Sequence, residues 1–281
     1  MGTRNGKTPI VFLHGLFGNA KNWTSSANSI IHHDPRTIHC LDLRNHGGSP
    51  HALPHDYHSL AMDVITYLEN HAPQNQFILA GHSMGAKTAM LVALLRPDLV
   101  HKLIVIDNSP VNQPLPAEFA QYLEGMVQVE QMQKSLTKNL STKDQLKQID
   151  AVLKDYVPDK LTRVFLASNL KQSSLPPHHH SQHHALSKMA KPPLRFQIPV
   201  IPLQQHSLLE NMGNWPQLHA KSKAATLVLR GLHSGFVTDQ HIQNDFPRYF
   251  SHFQVRDFDC GHWLVSERKD QFVQEVLSFI Q

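Results

Sequence analysis

Gly81-His82-Ser83-Met84-Gly85 lies between an apolar run, Phe77-Ile78-Leu79-Ala80, and a stretch from Ala86 to Leu95 that contains neither Gly nor Pro. The run reads as a buried parallel strand and the stretch as a helix. A serine on so sharp a strand-to-helix turn is held at a strained backbone angle, and the flanking Gly81 and Gly85 must be small for strand and helix to pass closely. The Ser83 hydroxyl then stands clear of the sheet at the start of a helix, where the helix dipole and free backbone N–H groups favour developing negative charge. That is the setting of a nucleophile for acyl transfer. G-x-S-x-G alone recurs by chance, and the strand before it and helix after it give it weight.

A serine is a weak nucleophile at its ordinary pKa and needs a base within hydrogen-bond reach, oriented by a third group. His262 is the expected base. It follows Gly261 in the loop after the last strand-like run, Phe253 to Phe258, and so completes the chain order nucleophile, acid, histidine. For the oxyanion, the strand Pro9 to Leu13 runs into His14-Gly15-Leu16-Phe17-Gly18, a glycine-bearing loop whose backbone can approach a ligand closely. The expected donors are the amides of Leu16 and Met84.

The acid has two candidates. After the strand Thr226 to Leu229 the chain reads Leu232-His233-Ser234-Gly235-Phe236-Val237-Thr238-Asp239, with no carboxylate near Ser234 and Asp239 several residues on. Asp107 stands at the tip of the strand Lys102 to Ile106 and can reach the same imidazole from a neighbouring strand. Asp107 is the expected acid, Asp239 is the alternative, and Ser234 is expected as an auxiliary hydrogen-bond partner of His262. The loop Asp42-Leu43-Arg44-Asn45-His46-Gly47 reads as structural, with Asp42 and Arg44 satisfying loop amides and each other.

These residues need a scaffold that converges on one edge. Up to Pro110 strands and helices alternate, which implies a parallel sheet whose loops gather at the carboxyl ends of the strands. The alternation stops from Val111 to about His219. Glu118 to Val129 and Lys143 to Lys154 have helical spacing there, and Ser173 to Pro202 reads as a loop rich in Pro and His. The expected organisation is therefore a core of 1–110 and 220–281 with 111–219 as a helical lid insertion. His178, His179, His180, His183 and His184 invite a metal reading, but the run lacks carboxylate or thiolate companions and reads as a solvated loop. No metal and no cofactor are expected.

Composition narrows the class. The 281 residues are 41% hydrophobic with a formal charge of +4. Lys and Arg are scattered without a basic run or interleaved aromatics, which argues against a nucleic-acid partner. Apolar segments are of strand length, so no transmembrane helix is expected. Cys40 and Cys260 fall in or beside core strands, as suits reduced thiols in an intracellular protein.

The set Phe12-Leu13-His14-Gly15-Leu16-Phe17-Gly18, Arg44-Asn45-His46-Gly47, Gly81-His82-Ser83-Met84-Gly85, Ile106-Asp107-Asn108-Ser109-Pro110 and Gly261-His262-Trp263 resembles the α/β-hydrolase fold family. The branch is that of the mitochondrial α/β-hydrolase domain-containing protein eleven and the fungal ethanol acetyltransferases. The resemblance covers nearly the whole chain. It implies an acid on the strand after the nucleophile helix and a serine at the usual acid position, which Asp107 and Ser234 match. It also implies a leader and one or two strands before the first strand seen here, where this chain has only Met1 to Thr8, so the expectation is either a short start of the sequence or a sheet with edge strands shortened or missing there. The expected activity is hydrolysis of small carboxylic esters or thioesters through an acyl-Ser83 intermediate. The alternative within the class is an alcohol O-acetyltransferase making ethyl acetate from ethanol and acetyl-CoA, the latter as substrate. The alternative of another class is a catalytically silent interaction module. Mitochondrial location follows from the resemblance alone.

Overall fold

The computed structural model describes residues 6–71, 76–135, 140–173 and 192–281. The chain divides into two compact units, Met1–Pro114 with Glu210–Gln281, and Leu115–Leu209. The first unit opens with β1 (Ile10–Leu13), α1 (Thr24–His33), β2 (Ile38–Leu41), α2 (Tyr57–His71), β3 (Phe77–His82), α3 (Met84–Leu95) and β4 (Val100–Ile106). The second unit holds α4 (Ala117–Ser135), α5 (Thr142–Lys154), α6 (Lys160–Ala167), β5 (Leu170–Gln172), β6 (Leu194–Phe196) and α7 (Val200–Gln205). After α8 (Leu208–Gly213), the first unit resumes with β7 (Ala225–Gly231), α9 (Phe246–Tyr249), β8 (Phe253–Phe258), α10 (Leu264–Glu267) and α11 (Lys269–Ile280).

Six strands form one parallel sheet in the order β2-β1-β3-β4-β7-β8. β1 and β3 are buried along their whole length, as continuous apolar runs in a sheet covered on both faces must be. The edge strand β8 alternates in exposure until its buried end at Phe258. α3 is buried from Met84 to Leu94, so it carries no polar stripe. Ile10, Phe12, Ile78, Ile104, Leu227 and Phe272 belong to one core cluster.

Two glycines let the central turn form. A Cβ on Gly81 would lie 2.1 Å from the Gly85 carbonyl oxygen, and one on Gly85 would lie 2.3 Å from that of Leu13. Backbone stands where a side chain would be, so neither position tolerates even alanine without movement of the strand or helix. Within the same unit the buried Lys87 of α3 donates to the carbonyls of Gly213 and Asn214 at 3.2 and 3.1 Å, holding the end of α8.

The first helix begins at Thr24, after a 3₁₀ turn over Ala20–Trp23 that is capped by Asn19. The expected loop from Ser173 to Pro202 contains two ordered pieces: Leu194–Phe196 pairs antiparallel with Leu170–Gln172, and Val200 starts a helix. A three-residue strand is too short to show periodicity. It is set by distant partners, the Gln145 side chain accepting the Leu194 N–H and the buried Glu130 accepting that of Phe196. The histidines between 178 and 184 lie outside the described residues. Among the described residues no helix is long and apolar enough to cross a membrane.

Candidate active site

β3, β4, β7 and β8 are consecutive neighbours in the sheet, and their carboxyl ends carry Ser83, Asp107, Gly231 and the loop to His262. Ser83 has φ 55°, a left-handed conformation rare for a residue with a Cβ, and its N–H donates to the Ile106 carbonyl at 2.9 Å. That bond anchors the strained turn to the neighbouring strand. The Ser83 Oγ is 2.9 Å from His262 Nε2, and His262 Nδ1 is 2.7 Å from Asp107 Oδ2. A carboxylate can only accept, so Nδ1 carries the proton and Nε2 is left as the acceptor for the serine hydroxyl.

Asp107 is fully buried at φ 50°. Its Oδ1 accepts the Gly231 N–H at 2.9 Å, and its own N–H donates to Leu229. Three bonds to two other strand ends therefore aim this carboxylate. Asp239 is elsewhere: its side chain is 80% exposed and pairs with Arg230, which also holds Asp257. Ser234 does not bond the imidazole. Its Oγ accepts the Phe236 N–H at 3.3 Å, and Phe236 stacks on His262. The turn at Gly235, with φ 72°, brings the serine back to its own loop.

Leu16 and Met84 are both buried, and among the described residues neither backbone N–H is engaged in a hydrogen bond. Buried amides without acceptors are rare, and both of these stand beside Ser83 in the chain or in the loop that passes over it. The first loop passes directly over the nucleophile, since a Cβ on Gly15 would lie 3.2 Å from that of Ser83. Two buried histidines hold its shape. Phe17, at φ 61°, donates its N–H to His46 Nε2 at 3.2 Å, while His46 Nδ1 donates to the Arg44 carbonyl at 2.9 Å. His14 Nε2 accepts the Leu43 N–H at 3.0 Å, and its Nδ1 donates to the Gly15 carbonyl at 2.8 Å. Burial lowers His14 to about 4 and His46 to about 3, which keeps both rings neutral and able to accept.

Asp42 and Arg44 serve this loop separately rather than as a pair. Asp42 accepts from the amides of Ala20 and Gly48 at 2.7 and 2.8 Å, whereas Arg44 turns outward to Asp63 and the Pro54 carbonyl. Four further residues act on the site without having been singled out for it. His82 Nε2 donates to the His262 carbonyl at 2.8 Å, Phe236 covers the imidazole, Ser109 Oγ donates to the Phe236 carbonyl at 2.6 Å, and His46 braces the first loop. His46, His82 and Ser109 stand in motifs of the sequence, but no local pattern gives the bonds that they make. Cys40 and Cys260 are free, and burial pushes both thiols up to about 11, so neither is a thiolate at neutral pH. Among the described residues no group of three or more His, Cys, Asp or Glu could hold a metal ion.

A serine at a strand-to-helix elbow of a parallel sheet, bonded to an imidazole that is bonded in turn to a buried carboxylate, defines a serine hydrolase. The chain belongs to the alpha/beta hydrolase fold family, which it matches over residues 8–269. It is 31% identical to ethanol acetyltransferase 1 of Wickerhamomyces anomalus, over 97% of this chain and 68% of that one. It is 32% identical to the sn-1-specific diacylglycerol lipase ABHD11 of Mus musculus, over 96% of this chain and 80% of that one. Among solved structures, a marine microorganism esterase superposes with a TM-score of 0.80 at 26% identity, covering 99% of this chain and 96% of that one.

Proposed function

We propose that this enzyme transfers acyl groups from small carboxylic esters or thioesters through an acyl-Ser83 intermediate. The observation that carries the reading is the hydrogen-bonded series Ser83–His262–Asp107 beside two unengaged buried amides. Ser83 Oγ attacks the carbonyl carbon while His262 Nε2 takes its proton. The carbonyl oxygen, now an anion, accepts from Leu16 and Met84. Collapse expels the alcohol or thiol, which recovers the proton from the imidazolium, and the buried Asp107 carboxylate stabilises that cation and holds its tautomer. Water then attacks the acyl-serine by the same steps in reverse order.

Ethanol in place of water would make the enzyme an alcohol acetyltransferase, a reading favoured by the similarity to ethanol acetyltransferase 1. Both readings share acetyl-Ser83, so one experiment serves both. The enzyme is given acetyl-CoA or an activated acetate ester with increasing ethanol, and acetate and ethyl acetate are measured. Under this proposal the ratio of the two products is linear in ethanol and the same from either donor, because the leaving group has departed before partitioning. Ratios that differ between donors would overturn the common intermediate, and ethyl acetate absent at high ethanol would leave a hydrolase. A silent interaction module would leave Ser83 unlabelled by a fluorophosphonate. The insertion 111–219 as a lid that sets acyl-chain choice, and the mitochondrial location, belong to the same proposal; chain-length profiles of insertion variants and cell fractionation test them.

A further inference from the structure

The imidazole of His262 is enclosed by rings, and its side chain is only 11% exposed. Phe236 stacks on it with centroids 4.1 Å apart and planes 24° from parallel, His82 lies at 4.7 Å and 38°, and Trp263 meets it in a T-shaped contact at 5.6 Å and 64°. Phe236 is buried and its backbone is held on both sides, since Ser234 Oγ accepts its N–H and Ser109 Oγ donates to its carbonyl. Close stacking face to face suits two neutral rings poorly, because their negative faces repel and such pairs settle offset or edge-on at roughly 4.5–7 Å. It suits a ring that becomes a cation, because positive charge within about 6 Å of a π face is attracted by the ring quadrupole, most strongly where water is excluded.

His262 becomes such a cation during acyl transfer. As the bond from Ser83 Oγ to the carbonyl carbon forms, the carbonyl π pair moves to oxygen and the hydroxyl proton passes to Nε2. The charged group that faces the new imidazolium is Asp107, in the ring plane at Nδ1 and 2.7 Å away. Phe236 faces the same charge from above the plane. His82 adds no opposing charge: burial first, and the neighbouring imidazole second, lower it to about 3, so it stays neutral while its Nε2–H donates to the His262 carbonyl at 2.8 Å.

We propose that the π face of Phe236 stabilises the His262 imidazolium that forms on the way to the tetrahedral intermediate, so that this ring lowers the barrier through the charge on the base and not only by holding it in place. The inference rests on the acyl-transfer reading. The test replaces Phe236 with mono-, di- and pentafluorophenylalanine, which keep the shape of the ring while progressively draining its negative face, and follows kcat, KM and the pH–rate profile on p-nitrophenyl acetate. Turnover should fall stepwise with fluorination, by about three- to thirtyfold for the pentafluoro ring, with KM unchanged. A base whose cation is less favoured is protonated less readily, so the acid limb of the profile should move to lower pH by about 0.5–1.5 units in parallel. Phe236→Leu keeps an apolar cover without a π face and should move the limb in the same direction. A series with flat kcat and an unmoved acid limb would overturn the proposal and leave the ring to packing. A loss of kcat with the limb unmoved would overturn it as well, since a disturbance of structure alone has that signature. Fluorophosphonate labelling of Ser83 in the parent separates the two readings: a parent that labels and turns over beside a flat series keeps acyl transfer and loses this inference, whereas a parent that does neither loses both.

Discussion

Phe236 lies flat against the imidazole of His262, with ring centroids 4.1 Å apart and planes 24° from parallel. Its backbone is tied on both sides, the N–H to Ser234 Oγ and the carbonyl to Ser109 Oγ, two residues after Asp107. The loop that carries Asp107 thus also fixes the ring against which the His262 imidazole lies. Replacing Phe236 with Ala frees the ring to swing from Ser83 and should lower kcat by about ten- to a hundredfold with little change in KM. Leu at this position should recover part of the loss by restoring bulk. Steady-state kinetics on a soluble ester check this, and a rise in KM with kcat intact would assign Phe236 to substrate binding instead.

Asp107→Asn should lower kcat by roughly 10⁴, because an amide can hold the imidazole in the wrong tautomer. Asp239→Asn should change it by less than about threefold, since that carboxylate is exposed and serves Arg230. Ser83→Ala and His262→Ala should each abolish turnover, and the double variant should be no worse than either, as expected of groups that act as a unit. Reversed sensitivity of Asp107 and Asp239 would move the acid to the later loop.

His46→Phe keeps a buried ring of similar size and removes the acceptor of the Phe17 N–H. With that bond gone the left-handed Phe17 is free to relax, and the Leu16 amide loses its aim. The expected outcome is a fall in kcat of about ten- to a hundredfold, matched by weaker binding of a trifluoromethyl ketone, whose oxyanion occupies the same donors. His46→Gln, which still offers an acceptor, should recover part of both. A loss of melting temperature with inhibitor affinity unchanged would reduce His46 to a packing role.

Four buried histidines should make the fold acid-sensitive well above the carboxylate range. Burial lowers His14 to about 4 and His46, His55 and His82 to about 3, against 6.5 in the unfolded chain. Between those values the unfolded state binds protons that the folded state refuses, so stability falls as pH drops from about 6.5 towards 3. Each histidine should contribute roughly 1–2 kcal/mol of loss between pH 7.5 and 5, visible as a lower urea midpoint. A midpoint flat across that interval would refute the neutral, buried assignment.

Lys87 works in the alkaline window. Burial lowers its amine to about 7 from 10.5, so above pH 7 the unfolded chain holds a proton that the folded one has lost. Stability should therefore rise with pH between about 7 and 10.5 on this account. Lys87→Met should remove that slope, and unfolding midpoints at pH 7, 8.5 and 10 compare the two. An identical slope in the variant would place its origin in another group.

Much of the scaffold was legible because its signals are local. The strand Phe253–Phe258 has the bounds expected of it, and the helices Tyr57–His71 and Lys269–Ile280 bury apolar residues at helical spacing. Each needs one buried face and one wet face, and that requirement is written every two or every 3.6 residues. The elbow was legible for a steric reason, since only glycine at 81 and 85 lets β3, α3 and the end of β1 touch backbone to backbone. The choice of carboxylate was not local. Asp107 and Asp239 both follow core strands, and only the strand order, with β4 between β3 and β7, together with Arg230 drawing Asp239 away, decides which one meets His262. His82 and Ser109 stand in recognisable motifs and Phe236 does not, but the contacts of all three were illegible, because their partners lie 26 to 180 positions away in the chain. The roll of α6 was illegible too. A helix of eight residues with one arginine reads as charge outward, until Asp150 and two backbone carbonyls, met only in three dimensions, bind that arginine inside.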